Sequence, residues 1–540
     1  MSRRIPLALL ALLLVIVMSG HAFATTYYIA ANGSDSNSGT SKSSPWLHAP
    51  GMTTCSATCS STNINAGDSL IFRGGDTWHF GNSSLSPFAG FQNDAWNWSR
   101  SGSSGNCNLD ASAGSVVTTS CIYIGVDQTW FTGSSWTRPV LNMDNPLSTS
   151  SPSSCSYDDS GKNIWVISGN YVIVDNFEFT GYCWNSTSPG ASLFGLGSHN
   201  ELRNSYFHGW TMGQTATGCG GCDSDEYFAV GGSFSVGSYL RIDYNVFDGS
   251  DSTYGTSSNK ASEGVFAVGG GEIDHNILNH VSNGMKYDQA ILVHDNFFEN
   301  MYEPVVGGTH GNVMEWSPTN YTVSTYYFNN LVDTTGEGET IDMYPGSSSS
   351  SKHGYVFNNI MWGVGNASNC YMGEGDGSGG PGSFYLFNNT TDNPCFFVEE
   401  RGSGAAIFQN NHFIGYSPQA VSAFSNMTGT DKGNEVWQSE STANSQGYVP
   451  SNNYAPTASS NATVGAGANL TSLCTSMDNS IAVAACENGY AGVTYNTSNH
   501  TAVANTPIAR ASSGSWDAGA YVYSASGSVN PPTGLAASVQ

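Results

Sequence analysis

A six-residue phrase returns along the middle of the chain: IDYNVF at 242, IDHNIL at 273, VHDNFF at 293, YFNNLV at 327, VFNNIM at 356, LFNNTT at 386 and FQNNHF at 408. Two looser copies, VDNFEF at 174 and LRNSYF at 202, precede them, so the key asparagines are Asn176, Asn204, Asn245, Asn276, Asn296, Asn330, Asn359, Asn389 and Asn411. Their spacing runs from 20 to 41 residues. A repeat of 20-odd residues built from short β-prone pieces and turns has the size of one coil of a parallel β-helix. A β-sandwich explains the strand richness but not one phrase that keeps returning. Stacked coils lie about 4.8 Å apart, so equivalent residues form ladders. Asparagine suits the bend between two strands because it tolerates left-handed backbone geometry, and its amide bonds from coil to coil. The longer spacings are insertions that loop out of single coils.

Residues 1–24 carry Arg3 and Arg4, an apolar run from Leu7 to Met18 and the small-residue end Ala22-Phe23-Ala24. This is the layout of a signal peptide cleaved before Thr25, which predicts a secreted, extracellular or cell-surface protein. No later stretch offers about 18 uninterrupted apolar residues, so no integral membrane segment is expected after cleavage. The chain holds 41 acidic against 15 basic residues, a formal charge of −26. Such a surface excludes nucleic acid, whose binding needs lysine and arginine on phosphates. The 13 Trp, 27 Tyr and 25 Phe set it apart from a disordered polar chain. Helical periodicity is nearly absent, which predicts an all-β protein.

All twelve cysteines follow the leader: Cys55, Cys59, Cys107, Cys121, Cys155, Cys183, Cys219, Cys222, Cys370, Cys395, Cys474 and Cys486. An even count in an exported chain favours disulfides, and Cys219-Gly-Gly-Cys222 reads as a small closed loop because no second ligand pair completes a metal site. CYMGEGDGSG at 370 and CFFVEERGSG at 395 read as one strand and turn in two adjacent coils. The coil spacing falls inside the Cα window of a disulfide, which predicts a Cys370–Cys395 bond.

On TTYYIAANGSDSNSGTSKSSPW at 25–46, AGDSLIFRGGDTW at 66–78 and SWDAGAYVY at 515–523, the chain resembles secreted proteins of the pectate-lyase-like superfamily. The resemblance implies an all-β, right-handed parallel β-helix with an N-terminal cap and an irregular C-terminal segment. The expected organisation is a leader at 1–24, cap and first coils at 25–160, the repeat core at 161–420, C-terminal coils or cap at 421–523 and a tail at 524–540. The superfamily holds polysaccharide lyases, glycoside hydrolases, epimerases and proteins with no known reaction, so fold alone leaves the activity open.

With the asparagine phrase as phase marker, NGMKY at 283, NVMEW at 312 and TIDMY at 340 share one frame, which places Lys286, Glu315 and Asp342 at one position in successive coils. Glu374 and Glu399 fall near that position in the next two, with a register uncertain by one residue. Carboxyls one or two coils apart bracket the spacings that retaining and inverting glycoside hydrolysis use. Crowding also raises one carboxyl pKa, as a general acid requires. Glu315 and Asp342 are therefore the candidate acid and its partner. His310 is a candidate proton shuttle, and Trp316, Tyr287, Tyr344, Glu374, Glu399 and Arg401 are candidate groups for binding an extracellular polysaccharide.

Three alternatives stand beside this hydrolase reading. A lyase would use Lys286 as base, with Arg241 and Arg401 behind it, although a neighbouring Glu315 makes lysine a poorer base. Asp288, Glu315 and Asp342 offer hard oxygen ligands for calcium. A non-catalytic surface or matrix protein would bind glycans through the same face. An exposed sheet face also simply needs polar residues. GDGSGG at 375 lacks the following helix of a dinucleotide site. His208, His280, His294 and His353 read as turn or core-edge residues rather than ligands.

Overall fold

A computed structural model describes residues 24–80, 96–110, 115–145, 165–184, 192–212, 228–232, 239–251, 265–267, 271–281, 284–287, 292–300, 313–316, 324–333, 341–342, 352–362, 371–375, 383–392, 397–400, 405–415 and 428–524. The chain winds through three parallel sheets coil by coil. The first, sheet I, has 13 strands, from Thr26–Ile29 to Thr428–Asp431. Sheet II runs from Thr77–His79 to Val436–Gln438. Sheet III has eight strands, from Trp96–Trp98 to Ile341–Asp342. This is the parallel β-helix that the repeat predicts.

One side chain in two points inward along each strand. On sheet I the inner row is Val174, Leu202, Ile242, Ile273, Val293, Tyr327, Val356, Leu386 and Phe408. On sheet II it includes Phe207, Phe247, Leu278, Phe298, Val332 and Met361. All of these belong to one buried core. Tyr327 brings a hydroxyl into that apolar stack, and the oxygen has no hydrogen-bond partner. Tyr327→Phe is expected to raise stability by about 1 kcal/mol, since a buried unpaired polar group costs that much or more. The midpoint of urea unfolding checks it.

The corner from sheet I to sheet II divides the two tasks expected of asparagine between neighbouring residues. The first corner residue takes the left-handed conformation: Asn176, Asn204, Tyr244, His275, Asp295, Asn329, Asn358, Asn388 and Asn410 all have φ between 54° and 72°. The second forms the ladder. The backbone N–H of each of Asn245, Asn276, Asn296, Asn330, Asn359 and Asn389 donates to the side-chain oxygen of the next, at 2.9–3.0 Å. Asn176 and Asn204 are therefore one position out of phase with the other seven. The ladder positions in those two coils belong to Phe177 and Ser205, whose backbone N–H groups donate to Ser205 Oγ and Asn245 Oδ1. At the far end the backbone N–H of Asn411 donates to the Glu435 carboxylate, so a charged acceptor closes the chain of amides.

Three cysteine pairs are bonded: Cys55–Cys59, Cys107–Cys121 and Cys474–Cys486. Cys155, Cys219, Cys222, Cys370 and Cys395 lie outside the described residues, as does the side chain of Cys183.

After its last strands the chain folds back along the outside of the helix. Leu470, Cys474, Met477, Ala482, Cys486 and Trp516 pack on the outer aromatics of sheet I, among them Tyr326, Phe328, Tyr355 and Phe357. Tyr448, Tyr454, Tyr490, Val493 and Tyr521 cover the outer apolar row of sheet II. Polar ties follow the same path: Arg510 donates to Asn358 Oδ1 at 2.9 Å, and the Gly492 N–H to Asp295 Oδ1 at 3.0 Å. Arg138 donates to the carbonyls of Asn499 and His500 at 2.9 and 3.1 Å. A segment from the end of the sequence thus clamps coils near its beginning.

Candidate functional site

From residue 172 to residue 414 the corner between sheets I and II takes two residues in every coil, such as 244–245 or 329–330, whereas the connections on either side of sheet III are long in several coils, such as 249–264 and 300–313. Insertions therefore gather at the two borders of sheet III. The C-terminal segment packs its apolar side chains on sheets I and II.

On sheet III, Lys286 pairs with Glu315 and Glu315 with Asp342, in consecutive coils. Each stands one residue past a core position, which Met285 and Met314 fill as buried side chains. The stacking expected from NGMKY, NVMEW and TIDMY is the register of the backbone. Tyr287 and Trp316 also pair with each other. Glu374 pairs with Glu399 in a separate two-stranded sheet, in the mutual register that the two Gly-Ser-Gly phrases suggest. His310, Asp288, Tyr344 and Arg401 lie outside the described residues.

Sheet I carries a charged cluster apart from the Lys286–Glu315–Asp342 ladder. The residue before each corner reads Asp175, Arg203, Asp243, Asp274 and His294, then changes to Phe328, Phe357 and Phe387. The signal was in the repeated phrase itself, whose second letter runs D, R, D, D, H and then F. The change falls where the C-terminal helices begin to cover the sheet. Arg241 donates to both oxygens of Asp274 at 3.3 and 3.2 Å, and His275 lies 2.8 Å from the same carboxylate. Buried His294 sits between Glu272, at 3.0 Å from Nε2, and Asp295, at 2.8 Å from Nδ1. Burial opposes its charge, but the two carboxylates outweigh that and push its pKa up to about 10.

Two groups that share His294, one with His275 and Asp295 and the other with Glu272 and Asp274, each bring their ligand atoms within 4.8 Å of one another. The donor set does not fit calcium, which takes six to eight oxygens. Both ring nitrogens of His294 face carboxylates, and a guanidinium occupies Asp274. The positive charges here are the protein's own.

Sheet II shows the same device. His208 lies 2.6 Å from Asp251 and 3.0 Å from Glu178, and against the opposing effect of burial these raise its pKa to about 9. Three coils on from His208, Glu299 and Asp333 pair in register. Burial, and for Glu299 the charge of Asp333, lift them to about 7 and about 6. Both effects carry one sign. A carboxyl with a raised folded pKa costs stability as it ionises between its unfolded value and about 7. A histidine with a raised folded pKa gives stability that is complete below about 6.5 and lost by about pH 9–10. The melting temperature is expected to fall by several degrees from pH 5 to pH 10. A flat or rising profile in scanning calorimetry would contradict these assignments.

No family model matches the sequence, and no curated protein does. Among solved structures, a rhamnogalacturonan lyase aligns over 76% of this chain and 87% of its own, with 12% identity and a TM-score of 0.40. The pectate lyase Pel9A aligns over 84% and 93%, with 15% identity and a TM-score of 0.42. The GH136 lacto-N-biosidase from Eubacterium ramulus aligns over 77% and 68%, with 10% identity and a TM-score of 0.45. What decides the fold is the chain's own topology, three parallel sheets joined coil by coil. It is a parallel β-helix. Among the described residues of this β-helix, no helix is long and apolar enough to cross a membrane.

Proposed function

We propose that the protein is a secreted enzyme that degrades an extracellular polysaccharide on the outer face of sheet III. The observation that carries the reading is the register of Lys286, Glu315 and Asp342 on consecutive coils. A one-coil step of about 4.8 Å is close to the carboxyl separation of about 5 Å used by retaining glycoside hydrolases. In this reading Glu315 and Asp342 are the acid and its partner, with Trp316, Tyr287 and Glu374 along the binding face. Calcium, if bound, would be held by Asp288, Glu315 and Asp342 and would offset their mutual repulsion.

The same register favours a second reading. Lys286 stands next in the ladder, so a lyase would use it as the base that removes a proton beside a sugar carboxylate. A panel of neutral and acidic polysaccharides, assayed for reducing ends and for unsaturated ends, separates the two readings. New reducing ends without unsaturation support the hydrolase, and unsaturated ends the lyase. Binding with no cleavage at any pH or calcium concentration would overturn both.

A further inference from the structure

Upstream of residue 172 one corner between sheets I and II is enlarged. Ile122–Phe131 passes to Val140–Asn145 through residues 132–139, whereas the coil before it turns with residues 75–76 alone. The strand also bulges, because residues 127–130 stand against the single residue Arg73 between the register pairs Phe72–Val126 and Gly74–Phe131. Bulges re-aim side chains, and this one presents Trp130, Phe131 and Trp136 among threonines and serines.

Phe131 is 37% exposed, and it is the one exposed aromatic among the side chains described. Its register partner is Gly74, and register partners send their side chains to one face. On that face lies Trp136, whose Nε1 is 2.9 Å from where a Cβ on Gly74 would stand, so glycine is what lets the indole settle there. Trp136 stays half-exposed, and its buried N–H has no hydrogen-bond partner. Neither ring serves the core: one is left in water, and the other leaves a donor unpaired at about 1 kcal/mol or more. Such departures from the rules of stability are expected at functional sites. The platform is also braced. Lys42 Nζ lies 2.6 Å from Asp127, whose other oxygen accepts from the Thr129 N–H at 2.9 Å. The Thr132 N–H donates to the Gly74 carbonyl at 2.9 Å, and Trp130 meets Tyr28 edge to face at 5.3 Å.

The chemistry of this surface selects its occupant. Residues 128–137 carry no charge on a chain of formal charge −26, and Asp127 is already paired with Lys42. Rings set among hydroxyl groups match the apolar C–H face and hydroxyl rim of an uncharged sugar, whereas the acidic surroundings repel anionic glycans and anionic membranes. So short a segment also falls well below the roughly 20–30 residues a side on which a stable protein partner rests. We propose that residues 128–137 form a glycan-binding site in which Phe131 and Trp136 stack on the sugars of an uncharged polysaccharide. The corner between sheets I and II lies across the core from sheet III, so the site is separate from the Lys286–Glu315–Asp342 ladder. It anchors the protein on its polymer, whichever reaction sheet III carries out.

The test is affinity electrophoresis of the intact chain through gels holding galactomannan, xyloglucan, hydroxyethyl cellulose or polygalacturonate. The wild type is expected to be retarded by at least one of the three neutral polymers. Phe131→Ala should weaken that binding about tenfold, the scale of one lost ring contact, while Phe131→Tyr and Glu315→Gln keep it. Because Phe131 is exposed, its replacement should move the melting temperature by no more than about a degree or two, which separates lost binding from lost folding. Retardation by no neutral polymer, or equal retardation of Phe131→Ala and the wild type, would overturn the proposal. Loss of retardation in Glu315→Gln alone would put the binding on sheet III and overturn it too. So would loss in Phe131→Ala of phosphatidylcholine vesicle binding or of self-association with glycan retardation unchanged. If no polysaccharide is cleaved while retardation still depends on Phe131, the catalytic reading falls and this one stands.

Discussion

Replacing Asn330 with alanine is expected to lower the unfolding free energy by about 3–5 kcal/mol, a large share of what any domain has. Asn330 Oδ1 accepts from the backbone N–H and the side-chain amide of Asn296, at 3.0 and 3.1 Å. Its own amide donates to the Val293 carbonyl at 3.1 Å, and its backbone N–H to Asn359 Oδ1 at 2.9 Å. Asn296, Asn330 and Asn359 are completely buried, so water cannot replace the lost partners. Removing the side chain leaves the Asn296 backbone N–H without its acceptor in the core, at about 1–3 kcal/mol, and takes one bond, about 1 kcal/mol each, from the Val293 carbonyl and from the Asn296 amide, which keeps the Ile273 and His294 carbonyls. Asn330→Ser should lose less, because Ser205 already fills this position at the start of the ladder, with Oγ accepting from Phe177 at 3.2 Å. The urea midpoints of the two variants decide it. Equal and small losses would mean that the amides merely fill space.

How far the sequence could be read follows from where the repeat is strict. The corner asparagines are spaced by buried hydrogen bonds that no other side chain makes so well, so the phrase survives in letters, and with it the coil, the sheets and the Lys286–Glu315–Asp342 register. The phase of Asn176 and Asn204 was misread because asparagine suits both corner positions, and a lone asparagine does not say which it holds. Tyr244 and His275 take the left-handed position in other coils, where the letters give no warning of it. The C-terminal clamp was illegible for a different reason. Its contacts, such as Arg138 to His500 and Tyr326 to Asp478, join residues far apart in sequence through single side chains with no periodicity to announce them. The charged cluster on sheet I was written in the second letter of the phrase, but its meaning depended on knowing which coils that clamp covers.

Glu315→Gln and Asp342→Asn are each expected to reduce kcat on the cleaved polysaccharide by at least about a thousandfold, the scale of losing a general acid or its partner. Each replacement keeps size and hydrogen-bonding capacity and changes no residue of the core or the asparagine ladder, so the melting temperature should move by no more than a degree or two. Glu299→Gln is the matched control. Glu299 is also a stacked carboxyl on a coil, and its replacement should leave turnover intact while raising stability at pH 7, where its ionisation opposes burial. The most direct measurement is therefore kcat and melting temperature for the wild type, Glu315→Gln and Glu299→Gln on one substrate. Loss of turnover in Glu315→Gln alone, with its melting temperature unchanged, is the predicted result. Full turnover in Glu315→Gln would show that the ladder on sheet III is structural and contradict the proposed site.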